Sequence, residues 1–258
     1  MKSKTRNSFT GIIPARYGSS RFPGKPLAVI GGKSMIQRVY EQAKKSLDEV
    51  WVATDDDRIR QAVIAFGGQT VMTSPMHRSG TDRCAEAVTK IFGNSFDPDD
   101  VIINIQGDEP FIKPEQIKAV TECFTGPEVQ IATLVRKVVP GEDLANVNQP
   151  KVVLSKSMDA LYFSRSVIPY IRDSGTEEWT SGHEYYKHIG LYGYRTGTLM
   201  QITELPQSPL ELAESLEQLR WLENGFRIRC SVTTWESHGI DTPLDLEKAE
   251  SMLRSEKD

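Results

Sequence analysis

Short β-branched runs alternate with stretches of helical periodicity in this chain, and that alternation is what most constrains its fold. The strand-like runs are residues 9–13, 50–54 and 101–105, and the helical stretches are residues 35–43, 59–66 and 85–91. In each helical stretch the apolar side chains fall on one face, as expected for helices that pack on a sheet. Strands joined through helices usually run parallel. The pattern therefore predicts an α/β fold with a mostly parallel central sheet and flanking helices.

The second half of the chain continues this pattern less regularly. Residues 130–135 and 227–235 are strand-like, and residues 208–224 have a helical pattern with a proline in the first turn and a glycine after the end. Residues 136–188 instead bring proline, lysine and aromatic side chains in short pieces. We interpret this segment as an excursion from the sheet that covers a site or forms a dimer contact. Because no repeat or linker is evident, we predict a single domain over residues 1–258.

Composition and charge argue against several classes of protein. The net charge of −4 and the pI near 5.7 disfavour a nucleic-acid binder, which needs a broad cationic surface. No apolar run approaches the ~20 residues of a membrane span, and residues 1–8 have no apolar segment typical of a secretory signal. Cys84, Cys123 and Cys230 form no CxxC pair, so we expect reduced thiols. These features predict a cytoplasmic protein without nucleic-acid or membrane partners.

A cationic, glycine-containing loop follows the first predicted strand. In an open parallel sheet, ligands bind beyond the carboxyl ends of the strands. Residues 14–26, PARYGSSRFPGKP, combine three cations with two glycines at such a position. They are not a Walker A loop, because five residues separate Gly18 from Gly24 and Pro26 replaces the hydroxyl residue that would contact magnesium. The pattern favours phosphate binding over the alternative, a solvated surface turn.

A carboxylate follows the third predicted strand. Asp108 lies in residues 106–110, QGDEP, directly after the apolar run. Mg²⁺ is commonly held by one or two carboxylates together with substrate phosphates, so an aspartate facing a cationic loop would complete a nucleotide site. The alternative is a Gly-Asp pair that only forms a turn.

Two other motifs favour a structural interpretation. The three aspartates at residues 55–57 resemble a metal motif of glycosyltransferases, but acidic residues are also favoured at a helix N-terminus, and we predict that role. Residues 32–34, Gly-Lys-Ser, lack the upstream glycine of a Walker A loop because Leu27 stands in its place. We predict a turn and a helix start there.

Eight segments of the chain resemble the 3-deoxy-manno-octulosonate (Kdo) cytidylyltransferases, or CMP-Kdo synthetases. In order they are IIPARYGSSRFPGKPL, VATDDDRI, HRSGTDRCAEA, INIQGDEP, ALYFSRSVIP, HIGLYGYR, SPLELAESLEQLR and GIDTPLDLE, from residue 12 to residue 247. The resemblance implies a Rossmann-related fold of the nucleotide-diphospho-sugar transferase type, a homodimer, and activation of Kdo for lipopolysaccharide synthesis. Residues 8–135 would be mainly the nucleotide-binding half. Residues 136–258 would supply the sugar site, the dimer contact and a second metal carboxylate.

The resemblance also assigns roles to individual residues. In the nucleotide half, Arg16 and Lys25 would contact the CTP phosphates, and Ser79 and Arg83 would frame the cytosine. Asp108 and Asp241 would hold Mg²⁺, and with Arg16 and Lys25 they form the expected catalytic set. The residues expected to line the Kdo pocket are Gln106, Arg165, His188, Tyr192, Glu217 and Gln218.

Several of these assignments have alternatives in the sequence itself. The planar guanidinium of Arg165 suits the carboxylate of the sugar. His188 is also consistent with a core histidine, and Glu217 with a solvated helix face. His183 and His188 are five residues apart rather than four, so they do not form a zinc HExxH motif. Asp241 precedes the pattern Thr-Pro-Leu-Asp, which is typical of a helix cap, so it is consistent with a capping role as well as a magnesium ligand.

Two other functions remain open at this level. Sialic acid and 8-amino-Kdo also carry a carboxylate beside the anomeric carbon, so a cytidylyltransferase for either acid is an alternative. A non-catalytic nucleotide-binding module is an alternative of another class. The joint presence of the cationic loop and both aspartates favours the enzyme.

Overall fold

One mixed sheet organises the protein. The structure is a computed structural model that describes residues 8–19, 21–173, 175 and 178–255. Within these residues the main path of the sheet has the order β11-β7-β10-β6-β1-β4-β5, and β8 and β9 branch from β10. These strands are β1 Phe9–Ala15, β4 Glu49–Thr54, β5 Gln69–Met72, β6 Val101–Asn104, β7 Ile131–Lys137, β8 Lys151–Leu154, β9 Ala160–Ser164, β10 Tyr186–Arg195 and β11 Ile228–Val232, while β2 Val29–Ile30 and β3 Lys33–Ser34 form a separate hairpin.

Helices cover both faces of this sheet. They are α1 Met35–Ala43, α2 Asp57–Ala65, α3 Gly80–Phe92, α4 Pro114–Thr121, α5 Trp179–Gly182, α6 Thr196–Thr203, α7 Pro209–Glu214, α8 Gln218–Glu223 and α9 Pro243–Ser255, with 3₁₀ turns at Lys25–Leu27 and Gly93–Ser95. Within the described residues, no helix is both long and apolar enough to span a bilayer.

The three strands predicted first form the centre of the sheet. β1 pairs in parallel with β4 on one side and with β6 on the other. Neighbouring residues of β1 point to opposite faces, so Ile13 packs in the core with α1, α2 and α4, whereas Ile12 packs in the core with α3, α6 and α8. The prediction of a mostly parallel α/β sheet is confirmed. The antiparallel partner β10, which lies between β6 and β7, makes the sheet mixed.

The segment predicted as an excursion remains attached to the sheet. Within residues 136–188, β8 and β9 form an antiparallel pair, and β8 joins the first residues of β10 at Tyr186 and Lys187. The segment therefore branches from the edge of the sheet near the carboxyl ends of β6 and β7. The predicted strand at residues 227–235 is shorter than expected, because β11 ends at Val232.

The prediction of one continuous helix over residues 208–224 is wrong. Two short helices, α7 and α8, occupy this stretch, and Ser215 between them adopts a left-handed conformation with φ of 51°. The Arg165 guanidinium donates to the carbonyls of Glu214 (2.6 Å) and Ser215 (3.1 Å). These carbonyls are thus bonded by a side chain instead of by a continuing helix.

A buried ion pair joins the two short helices. Arg220 in α8 binds Glu211 in α7 through two hydrogen bonds, of 2.8 Å to Oε2 and 2.6 Å to Oε1. Both residues are less than a tenth exposed. Such a bidentate pair is costly to break, because removing one partner leaves a buried charge without compensation.

We expect Glu211→Gln to lower the free energy of unfolding by about 3–5 kcal/mol, since Arg220 would keep its charge in a buried position. Urea denaturation at pH 7 measures the change. Glu41→Gln is the matched control, because Glu41 pairs with Lys33 at the surface, where such pairs contribute less than about 1 kcal/mol. Equal effects of the two substitutions would contradict the importance of the buried pair.

Candidate active site

A polar cleft lies at the carboxyl ends of β1 and β6. Its volume is about 290 Å³, and its walls come from the loop after β1, the loop after β6, the start of α3 and a single residue before α9. The residues that line it include seven assigned from the sequence: Arg16, Lys25, Ser79, Arg83, Gln106, Asp108 and Asp241. The structure thus brings together the whole predicted nucleotide and metal set, with one predicted sugar residue.

The cationic loop folds back on itself before it reaches Lys25. The amide of Gly24 donates to the Tyr17 carbonyl at 2.9 Å, and Gly24 has a left-handed φ of 72°. A Cβ at this position would lie 3.0 Å from the Tyr17 ring. Glycine is therefore required both by the backbone conformation and by the close approach of the ring. The turn directs Lys25 into the cleft.

Lys25 lies between the two predicted metal carboxylates. Its ammonium is 2.7 Å from Asp108 Oδ2 and 3.0 Å from Asp241 Oδ1. Arg21 adds a second cation, 3.0 Å from Asp241 Oδ2. The amide of Ile240 donates to the Asp108 carbonyl at 2.9 Å, which holds the two acidic loops side by side. Two carboxylates from distant parts of the chain thus already share one positive group.

This donor set is suitable for magnesium held jointly with a nucleotide. Within the described residues, no group of three or more His, Cys, Asp or Glu side chains is arranged to hold a metal ion. Mg²⁺ needs only one or two carboxylates when phosphates and water complete its shell. Asp108 and Asp241 fit that requirement, because both carboxylates lie within 3.0 Å of one positive group, the Lys25 ammonium.

The sequence left open whether Asp241 caps α9, but other residues form that cap. The Thr242 hydroxyl accepts from the Asp245 amide at 3.2 Å, and the Asp245 carboxylate accepts from the Thr242 amide at 3.0 Å. This reciprocal pair is a capping box for α9. The carboxylate of Asp241 points instead toward Lys25 and Arg21.

The start of α3 forms the opposite wall of the cleft. Ser79 caps the helix by accepting from the Asp82 amide at 3.1 Å. Arg83, one turn later, is 3% exposed, and its guanidinium donates to Thr73 (2.6 Å) and Asp55 (2.9 Å). Arg83 therefore reaches the cleft from a fixed position in the wall.

The structural roles predicted for the aspartates at residues 55–57 and for Gly-Lys-Ser at residues 32–34 are confirmed. Asp56 caps α2 by accepting from the Arg58 amide, and Asp57 lies in the first turn of that helix. Asp55 binds Arg83, so this acidic run is used for structure. Ser34 caps α1 by accepting from the Gln37 amide, after a turn at residues 31–32.

Arg21, His77 and Arg78 are among the cleft residues that were not assigned a role from the sequence. Arg21 belongs to the cationic loop, so its charge and position were a usable signal. His77 and Arg78 precede α3, and His77 is hydrogen-bonded to Glu86 in that helix. They begin the segment HRSGTDRCAEA, which carries part of the family resemblance, so that segment was the available signal. Their place in the cleft depends on how α3 packs beside β1.

Gln106 connects the cleft to a second cavity. Its amide donates to the Gly190 carbonyl in β10 at 3.2 Å. Near the start of β10 a cavity of about 230 Å³, here called the His188 cavity, opens between β7, β10 and two loops. Its lining residues are Arg136, Asn148, Gln149, Pro150, Lys187, His188, Ile189, Glu236, Ser237 and His238.

The imidazole ring of His188 is neutral and borders a polar cavity. Burial lowers the pKa of its imidazole to about 3, so the ring carries no charge at neutral pH. Its Nε2 lies 2.9 Å from the Thr133 hydroxyl, and its ring contacts those of Phe163 and Tyr192. His188 therefore has the contacts of a core histidine, while it also lines the cavity.

Three other residues predicted for the sugar pocket, Tyr192, Glu217 and Gln218, line neither of these two cavities. Tyr192 is buried against Trp221, and Gln218 is also buried. The Thr81 hydroxyl donates to Glu217 at 2.7 Å, and burial raises the pKa of the Glu217 carboxyl despite this bond. Glu217 is therefore linked to α3 and is not on a freely solvated helix face.

Arg165 lies outside the cleft in this structure. Besides the carbonyls of Glu214 and Ser215, its guanidinium binds the Val147 carbonyl at 2.8 Å. It thus ties β9 to the α7–α8 junction and to the loop before β8. The structure does not bring Arg165 together with the residues of the cleft.

Comparison with known proteins shows what this chain is similar to. The family model described as Cytidylyltransferase matches residues 10–228. A 3-deoxy-manno-octulosonate cytidylyltransferase of Bacteroides thetaiotaomicron is 61% identical over 250 residues, covering 96% of this chain and 98% of that protein. The protein of the same name from Parabacteroides distasonis is 62% identical over 249 residues, covering 95% and 98%.

Solved structures give the same result for the fold. CMP:2-keto-3-deoxy-manno-octonic acid synthetase complexed with CTP superposes with a TM-score of 0.88 and 44% identity, covering 97% of this chain and 100% of that one. A glucose-1-phosphate thymidylyltransferase from Bacillus anthracis, at 17% identity and a TM-score of 0.64, has the same fold and covers 96% of each chain.

The geometry around α9 separates the roles of neighbouring residues. We expect Asp241→Asn to change the free energy of unfolding by no more than a few tenths of a kcal/mol, because the Asp241 side chain does not cap the helix. Thr242→Ala removes the capping hydroxyl and is expected to cost about 1 kcal/mol. Chemical denaturation of both variants tests this. A larger loss of unfolding free energy for Asp241→Asn than for Thr242→Ala would indicate that Asp241 caps the helix.

Proposed function

Because the chain belongs to the cytidylyltransferase family, and within it to the 3-deoxy-manno-octulosonate cytidylyltransferases, we propose that it transfers CMP from CTP to Kdo. The anomeric hydroxyl of Kdo attacks the α-phosphorus of CTP, a new P–O bond forms, and pyrophosphate leaves with the electrons of the broken bond. The products are CMP-Kdo and pyrophosphate. The observation that carries the proposal is the pair Asp108 and Asp241, held around one cation beside a cationic loop.

The charges of the cleft suit this reaction. CTP carries about four negative charges, which repel an approaching sugar acid unless the site neutralises them. Arg16, Arg21 and Lys25 supply positive charge on one wall, and the first turn of α3, the positive end of that helix, lies on the other. We assign Arg16 and Lys25 to the phosphates, where they stabilise the charge on the departing pyrophosphate.

Magnesium is part of the proposal. Bound by Asp108 and Asp241 together with the phosphates, Mg²⁺ would supply the positive charge that helps to align the attack and to lower the pKa of the attacking hydroxyl. Lys25 now occupies the position between these carboxylates. With a metal held by the two carboxylates, the Lys25 ammonium would be available to bind the triphosphate. We assign no side chain as a general base.

The sugar is proposed to lie between the cleft and the His188 cavity. Gln106 borders the cleft and contacts β10, whose residue His188 lines the second cavity. The proposed sugar-binding set keeps Tyr192, Glu217 and Gln218: the Tyr192 ring contacts that of His188, and Glu217 is bonded to Thr81 at the start of α3. Arg165 would need to give up its carbonyl partners to reach a sugar carboxylate. We therefore propose that Arg165 acts on the sugar only after a rearrangement of the α7–α8 junction.

We also propose that the protein is a cytoplasmic homodimer that activates Kdo for lipopolysaccharide synthesis. Support for the dimer comes from apolar side chains on the 136–188 segment, where Val139, Val147, Leu161 and Tyr170 are exposed. Several exposed apolar groups on one segment favour a protein interface.

The substrate assignment predicts a specific result in a grid of nucleotides and acidic sugars. We expect pyrophosphate release to be fastest with CTP, Kdo and Mg²⁺ together, and to be lost when EDTA removes the metal. A coupled pyrophosphate assay measures it with CTP, UTP, ATP and GTP against Kdo, 8-amino-Kdo and sialic acid. Faster turnover with UTP or with sialic acid would overturn the assignment, and no turnover with any pair would favour a non-catalytic module.

The role of Asp241 predicts a loss of turnover without a loss of stability. We expect Asp241→Asn to lower kcat by about 100-fold or more, because a neutral amide is a poor ligand for magnesium. Thr242→Ala is the matched control, since it weakens the adjacent helix cap and leaves the carboxylate in place. Measured kcat over a magnesium titration should fall only for Asp241→Asn. Unchanged turnover of that variant would remove Asp241 from the metal site.

A further inference from the structure

The carboxylate of Asp241 lies on a loop that other parts of the protein hold in place. This loop, residues 233–242 between β11 and α9, is here called the Asp241 loop. It begins where the Thr233 amide donates to the Val135 carbonyl in β7 at 2.9 Å. It ends at the capping box of α9. Between these two points it crosses the edge of the sheet and borders the His188 cavity.

Two buried cations face the middle of the Asp241 loop. Arg136 in β7 and Lys187 in β10 are register partners on adjacent strands, and each is 8% exposed. Cations buried to this degree need carboxylate partners, because desolvation is otherwise costly. The strand pairing gives both side chains a rigid base.

Two carboxylates from different loops neutralise these cations. Lys187 Nζ lies 3.2 Å from Glu142 Oε1 and 3.3 Å from Glu236 Oε1, and Arg136 Nη2 contacts both of the same oxygens. Glu142 comes from the loop that follows β7, whereas Glu236 comes from the Asp241 loop. The cluster of two cations and two carboxylates is therefore balanced in charge. It fastens the Asp241 loop to the strands through Glu236.

Further contacts connect this fastening point to the site. The Ser237 hydroxyl donates to the buried carboxyl of Glu109, which follows Asp108. Only four residues separate Glu236 from Asp241. One of them is Gly239, where an added Cβ would meet no atom within 4 Å, so this residue does little to restrain the loop. The position of Asp241 therefore depends on the anchors at either side of it.

We propose that Glu236, held by Arg136 and Lys187, is a positioning residue for Asp241. This inference rests on the proposed function and deepens it, by naming what holds one metal carboxylate in place. Glu236 is not one of the residues that line the cleft. It keeps the Asp241 loop closed, so that Asp241 stands opposite Asp108 before a metal and nucleotide bind. Loss of the Glu236 charge lowers the fraction of molecules in which the two carboxylates are paired.

The proposal predicts a change in magnesium affinity rather than in the chemical step. If the closed loop falls to about a tenth of the population, the apparent affinity falls about tenfold, while saturating metal restores the closed form. We therefore expect Glu236→Gln to raise the magnesium concentration at half-maximal turnover about tenfold. Saturating magnesium should recover most of the lost turnover. The melting temperature should fall, because one buried cation loses its carboxylate partner, and it should fall by a similar amount in Glu142→Gln.

Glu142→Gln is the decisive matched variant. It removes the same charge from the same two cations, but its loop does not carry Asp241. We expect it to change the magnesium requirement much less than Glu236→Gln. Glu184→Gln is the outer control, because Glu184 pairs with Lys137 next to the cluster and is exposed. Glu236→Asp keeps the charge and should recover part of the affinity.

Two readouts do not depend on turnover. Isothermal titration calorimetry of Mg²⁺ into protein with a non-hydrolysable CTP analogue should show weaker binding for Glu236→Gln alone. Hydrogen–deuterium exchange should be faster across the Asp241 loop in that variant. Equal effects of Glu142→Gln and Glu236→Gln on the magnesium requirement, or a wild-type magnesium requirement for Glu236→Gln, would overturn the positioning role. An unaltered protein that turns over no CTP would instead overturn the proposed function, while calorimetry and exchange would still test the loop.

Discussion

The contact of Lys25 with Asp108 and Asp241 is the interaction on which the site depends. Asp108 lies 83 positions after Lys25 in the chain, and Asp241 lies 216 positions after it. Only the folded sheet brings the three residues together. β1 ends beside the cationic loop, β6 ends beside Asp108, and α9 starts just after Asp241. Because β1 and β6 are parallel neighbours, their carboxyl ends open on the same edge. A positive group at that edge then stabilises two carboxylates that would otherwise repel each other.

The loops around the site are held by side chains more than by regular structure. Arg83 joins the start of α3 to Asp55 after β4, and Arg165 joins β9 to the junction of α7 and α8. Arg220 joins α7 to α8, and Arg136 with Lys187 holds the Asp241 loop. In each case a guanidinium or ammonium joins two segments that do not share regular backbone hydrogen bonds. Arginine is suited to this because its planar group makes several hydrogen bonds at fixed angles.

The two cavities share one edge of the sheet but differ in chemistry. The cleft presents cations and the first turn of α3, which suit a triphosphate. The His188 cavity presents amide, hydroxyl and imidazole groups beside the paired charges of Arg136, Lys187 and Glu236, which suit a polyhydroxy acid. Gln106 stands between them and bonds to β10. The antiparallel strand β10 makes this division possible, because its first residues extend past the end of β6. A purely parallel sheet would have no strand to carry His188 to that point.

The sequence by itself determined the α/β class, the three central strands and the helical faces, because apolar periodicity reflects burial on a sheet. It also identified the cationic loop and Asp108, since both follow strands directly, and the family resemblance added Asp241. The tertiary structure decided the rest. It placed β10 antiparallel, divided residues 208–224 at Ser215, and gave Arg165 backbone partners. It also placed the Asp241 carboxylate beside Lys25 and Arg21 in the cleft. These features depend on contacts between residues far apart in the chain, and local periodicity and spacing carry no information about such contacts.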